Sequence, residues 1–417
     1  MTRGTIDNRP ETMRLGRVIG EYGDATRGPT LLCIAGMHGN EPSGVHALRR
    51  VFAALGEHEP TCHGRLIGLA GNVAALTTGA RFIDRDLNRI WGEEDVAAAR
   101  SGAGGANSTD GAKGANGANG GVGADGVAVP GCDSESNEQR ELLARLDPLL
   151  GDSGSDVYFL DLHTTSADGA PFALMGDTLR NRAFSGHFPV PVILGLEEQL
   201  SGTITEYVNE RGAVTVGFEA GRHDDPVSID RHEAAVWLGL AGAGVLTPKS
   251  MPHVARASRL LDASADGLAR IMEVRYRHAV RPDDGFTMRP GYRTFQHVRM
   301  GEILGEDRQG PVAAPVSGQI LLPLYQRQGS DGFFIARPVR RMWLTLSALL
   351  RRLRADHCLP MLPGIVRDRA HSGVLLANPR IARFLTNEVF HLFGFRRCTP
   401  QGGRLVYRRR THDFDGR

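Results

Sequence analysis

Apolar positions arrive in two alternating rhythms along the first half of the chain. Pro29 to Gly36 (PTLLCIAG) is a short apolar run closed by glycine, which predicts a buried strand. From about Gly44 to Leu55 the period becomes helical, with Val45, Leu48, Val51, Phe52 and Leu55 on one face. Arg65 to Ala70 (RLIGLA) predicts the next strand, so strand, helix and strand follow as in a βαβ unit. A helix is expected from Ser134 to about Leu150, a strand at Asp156–Leu162 (DVYFLDL), a helix at Gly202–Arg211, a strand at Ala213–Phe218 (AVTVGF) and a helical stretch at Asp230–Leu246. Past about Arg275 the texture changes. Phe286–Val339 is rich in Gly, Pro and short apolar alternations, with a turn at Ser330–Gly332, and reads as short strands. From Met342 a helical segment (MWLTLSALLRRLRA) leads into a basic, partly helical end. The expected fold class is α/β: a mixed, mainly parallel sheet flanked by helices, with a smaller C-terminal β domain. The expected division is 1–275, 276–340 and 341–417.

Composition alters this picture in one place. Ser101 to Gly131 is mostly Gly, Ala, Asn and Ser, too poor in apolar surface to offset its ordering entropy, and reads as a flexible insertion within the first domain. Otherwise the 417 residues are 41% hydrophobic and 23% charged with a formal net charge of +2, which selects neither nucleic acid nor membrane as a partner. Cys33, Cys62, Cys132, Cys358 and Cys398 are widely spaced, odd in number and without a C-x-x-C pair, which argues against a disulfide framework and a cysteine-based metal site. No apolar leader and no long apolar span is visible, so the expected location is cytoplasmic.

Four clusters carry candidate chemistry. In Gly36-Met37-His38-Gly39-Asn40-Glu41, imidazole and carboxylate three residues apart can reach one ion from a tight loop, although H-x-x-E alone reads as a solvated loop. In Asp161-Leu162-His163-Thr164-Thr165 a histidine follows a strong strand; alone it reads as a strand-end histidine. His38 and His163 both follow predicted strands at their carboxyl ends, the edge where open α/β sheets bind ligands. With Glu41 they make the two-His, one-carboxylate set of catalytic zinc. Asp161 is either a partner behind His163 or an unrelated acid. Arg81 to Arg89 (RFIDRDLNR) is a solvated loop or an anion clamp. Glu219, in Gly217-Phe218-Glu219-Ala220-Gly221, is a solvated acid or a proton carrier at the same edge.

Taken in this order, G-M-H-G-N-E, R-F-I-D-R-D-L-N-R, D-L-H-T-T and G-F-E-A-G resemble the succinylglutamate desuccinylase and aspartoacylase family, a branch of the zinc carboxypeptidase fold. The resemblance spans roughly residues 30 to 240 and extends to the β region that follows. It implies one Zn²⁺ per chain held by His38, Glu41 and His163, Arg81 polarising a substrate carbonyl, Asn88 and Arg89 holding a carboxylate, and Glu219 as general base and then acid. The implied activity is amide cleavage in an N-acyl amino acid. The aspartoacylase branch also grips the acyl carboxylate with an Arg and a Tyr before the catalytic Glu. Tyr207 and Arg211 do not match that spacing, and Tyr325 is the nearest candidate for a further tyrosine from the β domain.

Two other functions stay open. A peptidase on the same fold would use Asn88 and Arg89 to read a peptide's C-terminal carboxylate. A binding protein would use the basic tail Arg404 to Arg417 on phosphates, although no nucleic-acid motif is present and the tail reads more simply as a solvated or self-associating segment. The expected partner is a small carboxylate-bearing molecule, not a membrane or nucleic acid, and a homo-oligomer stays open.

Overall fold

A computed structural model describes residues 15–101, 121–122, 128–129, 133–151, 156–247, 252–368, 370–381, 386–401 and 403–413. Apart from Ser101 and two short strand pieces, the Gly/Ala-rich insertion lies outside the described residues, as do residues 414–417 of the basic tail.

The strands of the first half are β1 (Val18–Gly23), β2 (Thr30–Ala35), β3 (Arg65–Ala70), the short pair β4 (Gly121–Val122) and β5 (Ala128–Val129), β6 (Val157–Thr165), β7 (Phe172–Leu174), β8 (Val192–Leu194) and β9 (Val214–Arg222). The helices between them are α1 (Ser43–His58), α2 (Val73–Thr78), α3 (Glu93–Ser101), α4 (Ser134–Leu150), α5 (Leu179–Ser185) and α6 (Ile204–Glu210), followed by α7 (Val227–Gly242) and α8 (Pro252–Ser264). β2, β3, β6 and β9 pair in parallel, and β2 is buried at every position. Parallel strands covered on both faces need such continuous apolar runs. On one face α1, α5, α7 and α8 pack through Leu48, Phe184, Trp237 and Leu261. On the other, α3, α4 and α6 pack through Val96, Leu143 and Val208. The expected mixed sheet flanked by helices is the one observed.

The sheet does not stop at β8. β10 (Ile271–Ala279) pairs in parallel with β8, and the later strands β11 (Thr287–Met288), β12 (His297–Val298), β13 (Ile303–Asp307), β14 (Gly310–Ala313), β15 (Gly318–Leu321) and β16 (Asp331–Pro338) divide their pairing. β16, β15 and β12 continue the large sheet to eleven strands, in the order β1-β3-β2-β6-β9-β7-β8-β10-β16-β15-β12. β11, β13 and β14 make a separate three-stranded sheet.

The predicted strands ending at Leu162 and Phe218 run further. His163 and Glu219 lie inside β6 and β9, not beyond them, and face one another in register. Ladder pairing carries the strands past the end of the apolar run, and β-branched Thr164 and Thr165 suit the extended backbone.

The basic end holds more strand than its sequence suggests. After helix α9 (Arg341–Arg352), where a helix was expected, come β17 (Ile365–Arg367), β18 (Val374–Ala377), helix α10 (Thr386–Leu392), β19 (Phe395–Gln401) and β20 (Arg404–Arg409), with the four strands in one antiparallel sheet. Four of its arginines are spent on carboxylates. Arg351 meets Asp177 and Asp413, Arg396 meets Glu206 and Glu210, Arg409 meets Asp356, and Arg410 meets Glu197 and Glu198.

His391 on α10 joins the same docking, with Nε2 3.0 Å from Glu198 and Nδ1 3.1 Å from Glu273. Burial alone would lower its pKa, but these two acids raise it from 6.5 to about 9. Because the folded value is raised, the stabilisation is complete below 6.5 and fades as pH rises through about 9. The stability difference between the wild type and His391→Gln, measured by urea unfolding across this interval, is expected to shrink toward high pH.

Candidate functional site

Gly36 closes β2 with φ +71°, a conformation L side chains rarely adopt, and turns the chain across the sheet edge. A Cβ on Gly39 would lie 2.1 Å from the Ala75 carbonyl, so the loop can pass there only without a side chain. The tight path brings His38 and Glu41 over the end of β6. The backbone N–H of Thr164 donates to Glu41 Oε2 at 2.9 Å and fixes the carboxylate beside His163.

His38, Glu41 and His163 are all buried, and their ligand atoms lie within 4.8 Å of one another. Glu41 sits between the rings, with Oε1 2.9 Å from His38 Nδ1 and Oε2 3.2 Å from His163 Nδ1. The far ring nitrogens are backed by acids: His38 Nε2 is 3.1 Å from Asp86 and His163 Nε2 is 3.0 Å from Asp161. A carboxylate behind each imidazole orients it and raises its basicity toward a metal. Asp161 is thus the partner of His163 rather than an unrelated acid. Burial would raise the Glu41 carboxyl, but the two imidazoles hold it well below the usual range. Burial would lower His163, yet Asp161 and Glu41 hold it well above its ordinary value.

Glu219 projects from β9 opposite His163. Burial pushes its carboxyl up to about 8, and Oε2 is buried with no hydrogen-bond partner among the described residues. Two imidazoles and a carboxylate, backed by two further acids and faced by a buried carboxyl oxygen without a donor, fit a divalent cation such as zinc.

The loop from Arg81 to Arg89 wraps this cluster. Arg81 Nη1 donates to Glu41 Oε1 at 3.2 Å, and its Nη2 lies 2.9 Å from His38 Nε2 and 3.4 Å from Asp86. Asn88 accepts from the Ile204 N–H at 3.0 Å, and its Nδ2 lies 3.3 Å from His163 Nε2. Arg89 donates to Asp331 on β16 at 3.3 Å. The structure therefore brings Arg81, Asn88 and Arg89 to the cluster, with the Asn88 amide engaged by α6 as well.

The loop hangs on Glu135, which sequence reasoning missed. This fully buried carboxylate on α4 accepts from the N–H groups of Ile83 (2.7 Å), Asp84 (2.9 Å) and Arg85 (3.2 Å) and from Asn72 Nδ2 (2.9 Å). The only sequence signal was an acid in the first turn of a predicted helix, which ordinarily means a helix terminus. Glu135→Ala is expected to cost about 1–3 kcal/mol and to lower kcat/KM, because the Arg81 loop loses its anchor; urea unfolding and steady-state kinetics check both.

A cavity of about 210 Å³ opens over the cluster. His38, Glu41, Arg81, Asn88, Arg89 and His163 line it together with Glu219. Leu174, Leu196 and Leu200 supply apolar wall, while Gln326 and Asp331 lean in from the β15–β16 side. His223 is a second omission of the sequence reading. It sits 2.8 Å from Thr164 Oγ1 and 3.1 Å from Gln326 Oε1, and burial lowers its pKa, so it faces the cavity as a neutral imidazole. The three residues in doubt stay away. The Tyr325 hydroxyl donates to the Arg289 carbonyl, Tyr207 donates to Asp147, and Arg211 stacks on the Tyr207 ring at 3.6 Å. None of the three lines the cavity.

Residues 27–112 match the catalytic domain of the succinylglutamate desuccinylase/aspartoacylase family. The chain is 34% identical over 91 residues to a succinylglutamate desuccinylase of Pseudomonas syringae pv. tomato, a match covering 22% of this chain and 24% of the relative. It is 36% identical over 69 residues to the enzyme of that name from Pseudomonas paraeruginosa, covering 16% and 21%. The matches thus span about a quarter or less of the length of these relatives. In fold it resembles a succinylglutamate desuccinylase/aspartoacylase structure from Rhodobacter sphaeroides, with a TM-score of 0.51 and 20% identity over 78% of this chain and 88% of that one.

Proposed function

The chain belongs to the succinylglutamate desuccinylase/aspartoacylase family, and from that premise we propose that it is a zinc-dependent deacylase cleaving the amide bond of a small N-acyl amino acid. The observation that carries the reading is the convergence of His38, Glu41 and His163 with the buried, unpartnered carboxyl of Glu219 at one cavity. His38, Glu41 and His163 would hold the ion, which supplies Lewis acidity toward water and the scissile carbonyl when bound.

The remaining chemistry belongs to the chain. Glu219 takes a proton from the attacking water and delivers it to the leaving nitrogen. Arg81, released from Glu41, offers its guanidinium to the oxygen that gains charge. Arg89, released from Asp331 and with Asn88 beside it, holds the substrate carboxylate through a planar pair of donors. Leu174, Leu196 and Leu200 accommodate apolar parts of the substrate. The overhang of Gln326 and Asp331, together with the cavity's size, favours small molecules over peptides.

Chelation is expected to abolish hydrolysis of N-acyl amino acids, zinc to restore it, and His163→Ala to lose the metal. Blocked dipeptides run in parallel decide against a peptidase. Turnover that survives complete removal of metal would overturn the assignment.

A further inference from the structure

Among the described residues, helix α9 is anchored by one face and bare on the other. Arg351 and Ser347 are buried against the body, and Ser347 Oγ donates to the Leu392 carbonyl at 2.9 Å. On the opposite side Met342, Leu346, Leu349 and Leu353 recur at i, i+4, i+7 and i+11 and so form one stripe, exposed by 62%, 38%, 55% and 67%. Trp343 beside them is 48% exposed. A soluble chain rarely leaves so many large apolar side chains contiguous and uncovered. The buried anchor also means that the helix already has its seat, so the bare stripe faces away from its own body.

Charge says what covers it. Arg340, Arg341, Arg352 and Arg354 are exposed, and among the described residues none of them forms an ion pair. No acid occurs from residue 340 to residue 355. Arg341 and Arg352 fall on one flank of the apolar stripe, and Arg354 lies beyond its end. A second copy whose α9 met this face antiparallel about a two-fold axis would set the arginine flank against its own counterpart, with no acid of the helix between. An anionic bilayer surface satisfies both features, receiving the apolar stripe below the headgroups and the arginines among them.

We propose that α9 is an interfacial helix that docks this protein on membranes bearing anionic lipids. The helix would lie in the plane of the surface with Trp343 at headgroup depth. This site is independent of the reaction assigned above, since none of its residues lines the cavity.

The test is co-sedimentation of the full chain with vesicles of phosphatidylcholine alone and of phosphatidylcholine mixed with phosphatidylglycerol, at low and moderate salt. Binding to the mixed vesicles only is expected, weakening with salt, with each of the four arginines worth roughly fivefold in partitioning. Trp91 and Trp237 are buried, so a blue shift of tryptophan emission on binding reports Trp343. The double variant Leu346→Glu, Leu349→Glu changes only exposed positions and is expected to keep fold and deacylase activity while losing binding by about tenfold or more. Absence of binding to the mixed vesicles overturns the proposal, as does binding unchanged in the double variant. A dimer that the double variant dissolves, or capture by an acidic polymer without capture by vesicles, assigns the face to another occupant and overturns it equally.

Discussion

Glu219→Gln is expected to lower kcat by about 10²- to 10⁴-fold while leaving the metal content of the protein unchanged. The two halves of this expectation rest on different observations. Glu219 is not one of the three donors that converge, so the amide variant keeps His38, Glu41 and His163 intact. Glutamine has the same shape but cannot take up and return a proton. Burial already pushes the Glu219 carboxyl up to about 8, so the group exchanges protons close to neutral pH, where such transfer is most efficient. A nearby cation would draw it lower, toward the ionised form a base requires. Metal analysis and steady-state turnover on one preparation separate the roles. A variant that loses metal shows Glu219 to be a ligand, and one that keeps both metal and turnover removes it from the chemistry.

The parts of this site that the sequence made legible are those whose signal is local. Gly36 and Gly39 around His38 announce a tight turn, and the apolar runs before His38, His163 and Glu219 announce strands. Arranged in a parallel sheet, those strands place all three residues at one edge. What was not legible depends on distant partners. Glu135 looks like any acid at a helix start until its carboxylate is seen gathering three consecutive N–H groups of the Arg81 loop. His223 gains its place from two distant partners, Thr164 on β6 and Gln326. The basic tail misled for the same reason. Arg410 read as part of a solvated segment, yet it meets Glu197 and Glu198 of the α/β body, and Arg396 on β19 meets Glu206 and Glu210. An arginine's neighbours along the chain do not reveal whether a carboxylate waits across the fold.

That docking leads to the largest stability effect expected of a single substitution. Arg351 is fully buried, and its Nε and both Nη groups make five hydrogen bonds: to the Leu392 and His391 carbonyls, to the carbonyl and carboxylate of Asp177, and to Asp413. A guanidinium has five N–H donors, so every one is used. Burial raises the Asp177 carboxyl, but Arg351 and Arg182 together hold it well below the usual range. Arg351→Ala leaves Asp413 without its cation and Asp177 with only Arg182, both acids remaining buried. Removing one partner of such a cluster costs about 3–5 kcal/mol, because the desolvation of the remaining charges is no longer offset. Arg352→Ala, one residue along and exposed without an ion pair, is expected to stay within about 0.5 kcal/mol of the wild type. Urea unfolding of the two variants side by side measures the contrast. Equal stabilities would mean that α9 is not seated through Arg351, and the docking of the C-terminal segment on Asp177, next to the cavity residues Met175 and Gly176, would need another anchor.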